Sequence, residues 1–219
     1  MSLPQSSYDA VERTEVLPLL PASAQSFLDI GCARGGFGRA IRRERGPSVR
    51  IVGLEPIAEQ AADARSAGYD EVLEGYFPEV MAHSEELFDC IVLNDVLEHM
   101  MDPWTAVSGV KSRLAPGGRV VASIPSIQFL PIWLKVLRGR WDYTDEGTLD
   151  RTHVRFFTRA TMVEMFEGAG YTVERAQGIN SMTTRGHARL LAPLAWLFGN
   201  ARFLQFVIVA GAKRLEALG

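Results

Sequence analysis

Phe27-Leu28-Asp29-Ile30-Gly31-Cys32-Ala33-Arg34-Gly35-Gly36 is the stretch that decides the fold of this 219-residue chain. A short apolar run stops at glycines, the mark of a buried parallel strand, and Phe37 to Arg45 then reads as a helix closed by Gly46-Pro47. A strand that ends in a glycine turn and opens a helix brings backbone N–H groups and a helix N-terminus beside a ligand. Gly31, Ala33 and Gly35 take alternate positions, where a larger side chain would keep a ligand off the backbone. Glu55, followed by Pro56, ends the next strand (Val49 to Leu54), so its carboxylate is placed to accept from both hydroxyls of a ribose. Taken alone, the turn leaves open a plain structural turn and a nicotinamide-dinucleotide site.

Outward from this stretch, strands and helices alternate. A helical stripe covers Tyr8 to Leu20 up to Pro21, and an alanine-rich helix covers Ile57 to Ala67, stopped by Gly68. Further strands are expected at Glu71–Leu73, Phe88–Leu93, Arg119–Ile124, Tyr171–Ala176 and Phe203–Ala210. Helical patterns begin at Val96–Met101 and run through Trp104–Leu114, Thr158–Gly168 and Ala188–Phe198. This alternation predicts a doubly wound α/β sheet with right-handed crossovers. One domain is expected over residues 1–219, carrying cap or lid insertions at about 126–157 and 178–202.

Composition narrows the function classes. A net charge of −3 argues against a nucleic-acid partner, which calls for a concentrated basic surface. The only two cysteines, Cys32 and Cys90, sit in apolar strands with no disulfide framework or zinc spacing, so no metal is assigned and a reducing, cytoplasmic location is expected. The first residues lack a secretory pattern. The longest apolar stretch, Leu191 to Gly211, is broken at Gly199-Asn200-Ala201-Arg202, and a central Arg costs roughly 2.5–3.5 kcal/mol on insertion, so no transmembrane helix is expected. Nothing in the sequence specifies an oligomeric state.

Two further blocks separate the readings of the glycine turn. Phe88-Asp89-Cys90-Ile91-Val92-Leu93-Asn94-Asp95-Val96-Leu97-Glu98-His99 is a buried strand followed by polar residues at the carboxyl edge of the sheet. Leu114-Ala115-Pro116-Gly117-Gly118 closes a helix and enters the fifth strand. The chain is also too short for a separate dehydrogenase substrate domain. As an ordered set, these motifs resemble the class I methyltransferases that use S-adenosylmethionine (SAM), with the likeness covering roughly residues 8–176. The resemblance implies a Rossmann-like, seven-stranded sheet, mostly parallel with an antiparallel last strand. It implies SAM as cofactor and S-adenosylhomocysteine as product. Asp29 and the loop of Gly31, Cys32, Ala33 and Gly35 would hold the methionine and ribose end, with Glu55 and Pro56 at the ribose. Gly75, Tyr76 and Phe77 would flank the adenine, and Asn94 with Asp95 would lie under the methionyl part. Ala33 stands where a glycine is usual, and Tyr76 where an acid is common.

Leu149-Asp150-Arg151-Thr152-His153-Val154-Arg155-Phe156-Phe157-Thr158 resembles a signature of a bacterial subgroup of these enzymes, often associated with sugars, cell-surface glycans or secondary metabolites. It implies an acceptor that is a small molecule or glycan-like and carries a hydroxyl; N- and C-methylation and a non-catalytic SAM-binding module are the alternatives. Removing a hydroxyl proton near neutral pH suits a histidine, so His153 and then His99 are the candidate bases. The competing reading of His153 is a structural residue pinning the insertion, through Asp150. Ile127 to Trp141 mixes Phe129, Trp133, Leu134 and Leu137 with Lys135, Arg138 and Arg140. It reads as a cap helix packed on the core, as a lid over the acceptor, or as a peripheral membrane contact.

Overall fold

A computed structural model of the chain describes residues 11–182 and 199–213, with positions 193 and 197 between them. Seven strands form one sheet: β1 (Ser26–Ile30), β2 (Arg50–Glu55), β3 (Glu71–Glu74), β4 (Phe88–Asn94), β5 (Leu114–Pro125), β6 (Tyr171–Ser181) and β7 (Phe203–Ala212). Their order is β3-β2-β1-β4-β5-β7-β6. The first five pair in parallel, while β7 runs antiparallel to both β5 and β6. The Rossmann-like mixed sheet is therefore present, and the one reversed strand is the last in sequence.

Alternation within each strand divides the apolar residues between two cores. Leu28, Ile30, Leu54, Ile91, Leu93, Val120 and Ala122 share one core with α3 (Pro103–Val110) and α5 (Arg159–Gly168), through Val107, Val110, Met162 and Phe166. Phe27, Ile51, Cys90, Val92 and Val121 share the other with α1 (Gly36–Arg45) and α2 (Ala58–Arg65), through Phe37, Ile41, Ala61 and Ala64. Both faces are covered, which is why the central strands read as continuous apolar runs.

Three elements differ from expectation. The helix expected from Val96 is only a 3-10 turn, Leu97–His99, and α3 starts afresh at Pro103. A proline cannot continue an incoming helix but suits a first helical position, and Asp102 caps it by accepting from the Thr105 N–H at 3.1 Å. Within the described residues the Tyr8–Leu20 stripe gives a 3-10 turn, Leu17–Leu19, because Pro18 and Pro21 interrupt it. Strand β6 continues to Ser181, taking up the start of the second expected insertion through pairing with β7. The Ala188–Phe198 helix expected there lies outside the described residues.

The first insertion carries α4 (Leu130–Val136). Leu130 and Ile132 pack with Phe129, Leu149, Met182, Ala201 and Leu204 in a third, smaller core, while Trp133, Leu137 and Trp141 stay exposed. Among the described residues no helix is long and apolar enough to cross a membrane.

Candidate active site

The sheet order reverses between β1 and β4, the kind of switch point at whose carboxyl edge open α/β sheets form their ligand crevice. Ile30 pairs with both Leu54 and Leu93. The next row outward is therefore Gly31, Glu55 and Asn94; Glu74 pairs with Glu55, and Gly75 follows one residue beyond it, donating its N–H to the Glu55 carbonyl at 3.1 Å. Three of the expected site residues are thus brought side by side by register alone.

The loop after β1 follows from its small residues. Gly31 sits at φ +74°, and a Cβ there would lie 2.6 Å from a Val96 methyl. Gly35, at φ +81°, would place a Cβ 2.6 Å from that of Ala67 and 2.9 Å from the Ala64 Cα. Ala33 adopts φ +47°, left-handed backbone that an alanine enters at a cost of about 1–2 kcal/mol. Both Gly31 N–H and Cys32 N–H donate to the Leu54 carbonyl, at 2.8 and 3.0 Å, which fastens the loop to β2.

Glu55 completes that attachment. Its two carboxylate oxygens accept from the Ala33 N–H at 2.9 Å and the Ile57 N–H at 3.0 Å. Each oxygen keeps accepting capacity for a ligand hydroxyl. Burial raises the Glu55 pKa, opposed by these two N–H groups. Asn94 is the complement across the crevice: its side-chain oxygen and nitrogen are both buried without a partner. Tyr76 is exposed, whereas Phe77 packs on the core beneath α3.

Asp29 lies below the loop, 2% exposed, and accepts a hydrogen bond from the Tyr69 hydroxyl. That hydroxyl in turn accepts from the Gly38 N–H at 3.0 Å, in the first turn of α1, whose N-cap Gly35 has no side chain to do so. Burial pushes the Asp29 carboxyl up to about 7; the Tyr69 bond acts against this and the Glu55 charge adds to it.

Beyond Asn94, Asp95 takes φ +53° and pairs with Arg13. Arg13 also donates to the Ser123 hydroxyl at 2.9 Å and to Gln205 at 3.3 Å, and Gln205 donates to Asp95 at 2.7 Å. Burial raises the Asp95 pKa and Arg13 opposes it. Arg13, Tyr69 and Gln205 are not among the residues the sequence marked. They come from three distant segments, and no local pattern signals them.

The segment 148–155 folds back onto the turn after β4. Val154 and Arg155 N–H groups both donate to the Glu98 carbonyl, at 2.9 and 3.0 Å. This sets the His153 ring 4.6 Å from the His99 ring, edge to face, with His153 Nε2 3.9 Å from a Glu98 carboxylate oxygen. Asp150 does not hold the His153 ring, as the structural reading expected; it accepts from the Thr152 N–H and hydroxyl at 2.8 and 2.7 Å, and the ring is held by the Thr148 carbonyl at 3.0 Å. Short Asp side chains close on their own backbone two residues ahead, which takes Asp150 out of reach.

These bonds fix both tautomers. A carbonyl only accepts, so His153 Nδ1 carries the proton and Nε2 the lone pair. The Thr152 hydroxyl spends its one proton on Asp150, so His99 Nδ1, facing that hydroxyl at 3.2 Å and the Thr152 carbonyl at 3.3 Å, must also be the donor. Burial and the neighbouring His153 lower the His99 pKa. Glu98 is 1% exposed, and burial drives its pKa well above the carboxylate range.

Comparison with known proteins agrees with this architecture. The family described as "Methyltransferase domain" matches residues 6–176. A ubiquinone biosynthesis O-methyltransferase of Aeromonas salmonicida is 25% identical over 161 residues, 70% of this chain and 66% of the relative. The chain thus spans about two thirds of that relative's length. A Haloferax volcanii methyltransferase solved with the Trm112 methyltransferase activator has a TM-score of 0.65 at 18% identity, over 94% of this chain and 90% of that one. CalO1, a methyltransferase of calicheamicin biosynthesis solved with S-adenosylhomocysteine bound, has a TM-score of 0.60 at 20% identity, over 93% of this chain and 54% of that one. These likenesses to solved structures establish the fold.

Proposed function

The chain belongs to the methyltransferase domain family, and on that premise we propose that it moves a methyl group from SAM to a hydroxyl of a small-molecule or glycan-like acceptor. The observation that carries the reading is the row Gly31–Glu55–Asn94 at the switch point, with the Glu98–His99–His153 cluster one turn beyond it. The names of the relatives support an oxygen acceptor.

The residues present fit the cofactor. A Cβ at Gly31 or Gly35 would clash, Glu55 keeps lone pairs for two ribose hydroxyls, and the Asn94 amide lacks a partner that a methionyl amine or carboxylate would supply. Asp29, Gly31, Cys32, Ala33 and Gly35 would hold the methionyl and ribose end, Glu55 and Pro56 the ribose, Gly75, Tyr76 and Phe77 the adenine, and Asn94 with Asp95 the methionyl side. When bound, SAM supplies an electrophilic methyl carbon on a sulfonium.

The protein's own work is alignment and proton removal. Holding an acceptor oxygen in line with the methyl carbon is worth about 7–11 kcal/mol in well-oriented systems. Bound SAM would supply the methyl group, and an acceptor hydroxyl taking it would have to give up its proton. The hydroxyl proton passes to His153 Nε2, which the Thr148 carbonyl keeps as the acceptor nitrogen. The resulting imidazolium faces the Glu98 carboxyl group.

Calorimetry with SAM and S-adenosylhomocysteine tests the first half; absence of binding at millimolar ligand would sink it. Release of S-adenosylhomocysteine across phenolic, sugar and amine acceptors tests the second. Turnover restricted to amines would replace the hydroxyl reading, and cofactor binding without turnover would favour a non-catalytic module.

A further inference from the structure

Residues 98, 99 and 153 have one property in common: each brings an oxygen or nitrogen atom able to ligate a metal to the same small space. Both Glu98 carboxylate oxygens are buried without a hydrogen-bond partner. The Nδ1 protons of His99 and His153 are spent on Thr152 and Thr148, which leaves each Nε2 as an acceptor. One ligand atom from each of the three lies within 4.8 Å of the others. Arg13, whose charge acts on Glu98, is bound to Asp95, Ser123 and Gln205 instead. A buried carboxyl group with neither oxygen hydrogen-bonded, set beside two imidazole lone pairs, leaves its polar atoms unsatisfied.

We propose that Glu98, His99 and His153 form the binding site of a first-row divalent transition cation. Two imidazoles and one carboxylate are the donor set that suits such ions, whereas Mg²⁺ and Ca²⁺ favour oxygen ligands. A ligating histidine typically gives its other ring N–H to a carbonyl or carboxylate, which fixes the tautomer, and both rings already do so with backbone carbonyls. Bond lengths of about 2.0–2.2 Å put ligand atoms about 3–3.5 Å apart, so atoms as far apart as 4.8 Å must close in by more than about 1 Å on binding, and three protein ligands leave a coordination position open to solvent or to an acceptor oxygen. The site departs from the sequence reading, which assigned no metal, because its ligands come from two segments more than fifty residues apart and have no zinc-like spacing.

The cation site stands without the methyltransferase reading; only its use rests on that reading, as the Lewis acid that lowers the pKa of the acceptor hydroxyl in place of a free His153 base. The test is calorimetric titration of the chelator-stripped full chain with Zn²⁺, Co²⁺, Mn²⁺ and Mg²⁺, with the visible absorption of Co²⁺ reporting nitrogen ligation. One Zn²⁺ or Co²⁺ per chain is expected, bound at least tenfold more weakly in Glu98→Gln and His153→Ala, and unchanged in His83→Ala, whose histidine is exposed and remote from the cluster. Wild type should also gain melting temperature with Zn²⁺, and Glu98→Gln should not. No uptake at millimolar cation, uptake of Mg²⁺ alone, or equal uptake by Glu98→Gln and wild type would overturn the proposal. Circular dichroism of each variant separates lost ligands from lost fold. Calorimetry with S-adenosylhomocysteine on the same samples separates the two readings: cation uptake without cofactor binding sinks only the methyltransferase proposal, and the reverse sinks only the metal site.

Discussion

Replacing Asp29 with Asn should raise stability relative to wild type as pH rises from 5 toward 8, the gain levelling off above the folded-state pKa of about 7. Asp29 is 2% exposed and its carboxyl is raised to about 7 from an ordinary value of 3.8, chiefly by burial. A folded-state pKa above the unfolded value means that the folded chain favours the protonated form. Its contribution to stability is complete below pH 3.8 and is lost as pH rises through 7. A difference of about three units corresponds to about 4 kcal/mol, of which about 2.5 kcal/mol falls between pH 5 and pH 8. Asparagine cannot ionise, and its carbonyl oxygen can still accept the Tyr69 hydroxyl proton. Urea denaturation of both proteins at intervals from pH 5 to pH 8 measures the difference, and subtracting the two curves removes every other titrating group that is independent of position 29. An Asp29→Asn advantage rising by about 2.5 kcal/mol across this range is expected. A difference that is flat with pH, or that favours wild type increasingly as pH rises, would refute the assignment of Asp29 as a buried carboxyl ionising near neutrality.

Glu55→Ala should weaken S-adenosylhomocysteine binding by at least about a hundredfold in calorimetry, since two hydrogen bonds to a charged group are worth about 1.5–3 kcal/mol each; an unchanged Kd would remove Glu55 from the cofactor site. Gly35→Ala combines left-handed backbone with a contact of 2.6 Å to Ala67, so thermal or urea unfolding should register a loss of about 3 kcal/mol. A loss under about 0.5 kcal/mol would mean that α2 yields freely. His153→Gln should slow methyl transfer to a hydroxyl acceptor by about 10²–10⁴ while leaving the S-adenosylhomocysteine Kd within twofold; wild-type turnover would exclude His153 as the base.

Much of the architecture was legible because it depends on short-range pattern. The runs Phe27–Ile30 and Phe88–Leu93 are apolar on both faces, as strands covered by helices must be, and Gly31 and Gly35 stand where backbone at positive φ and close neighbours admit nothing larger. Glu55 and Asn94 could be placed at the crevice because a parallel register puts strand ends in one row. The exact extent of helices was less legible: Pro103 restarts a helix that periodicity alone would begin at Val96. Strand β6 outran its apolar pattern because its length is set by pairing with β7, which lies some twenty residues further on.

The sequence by itself determined the sheet, the glycine loop and the acid that holds it, since each is encoded by residues within one strand–turn–helix unit and by the row that register makes of them. Tertiary structure alone decided what the polar residues do. It passed the Tyr69 hydroxyl between Gly38 and Asp29, brought Arg13 across to Asp95, and turned His153 away from Asp150 toward Glu98 and His99. The physical reason is that hydrophobic periodicity is a local property of the chain. The partner of a buried charge or lone pair is whichever group the fold carries within about 3–4 Å, at any distance in sequence.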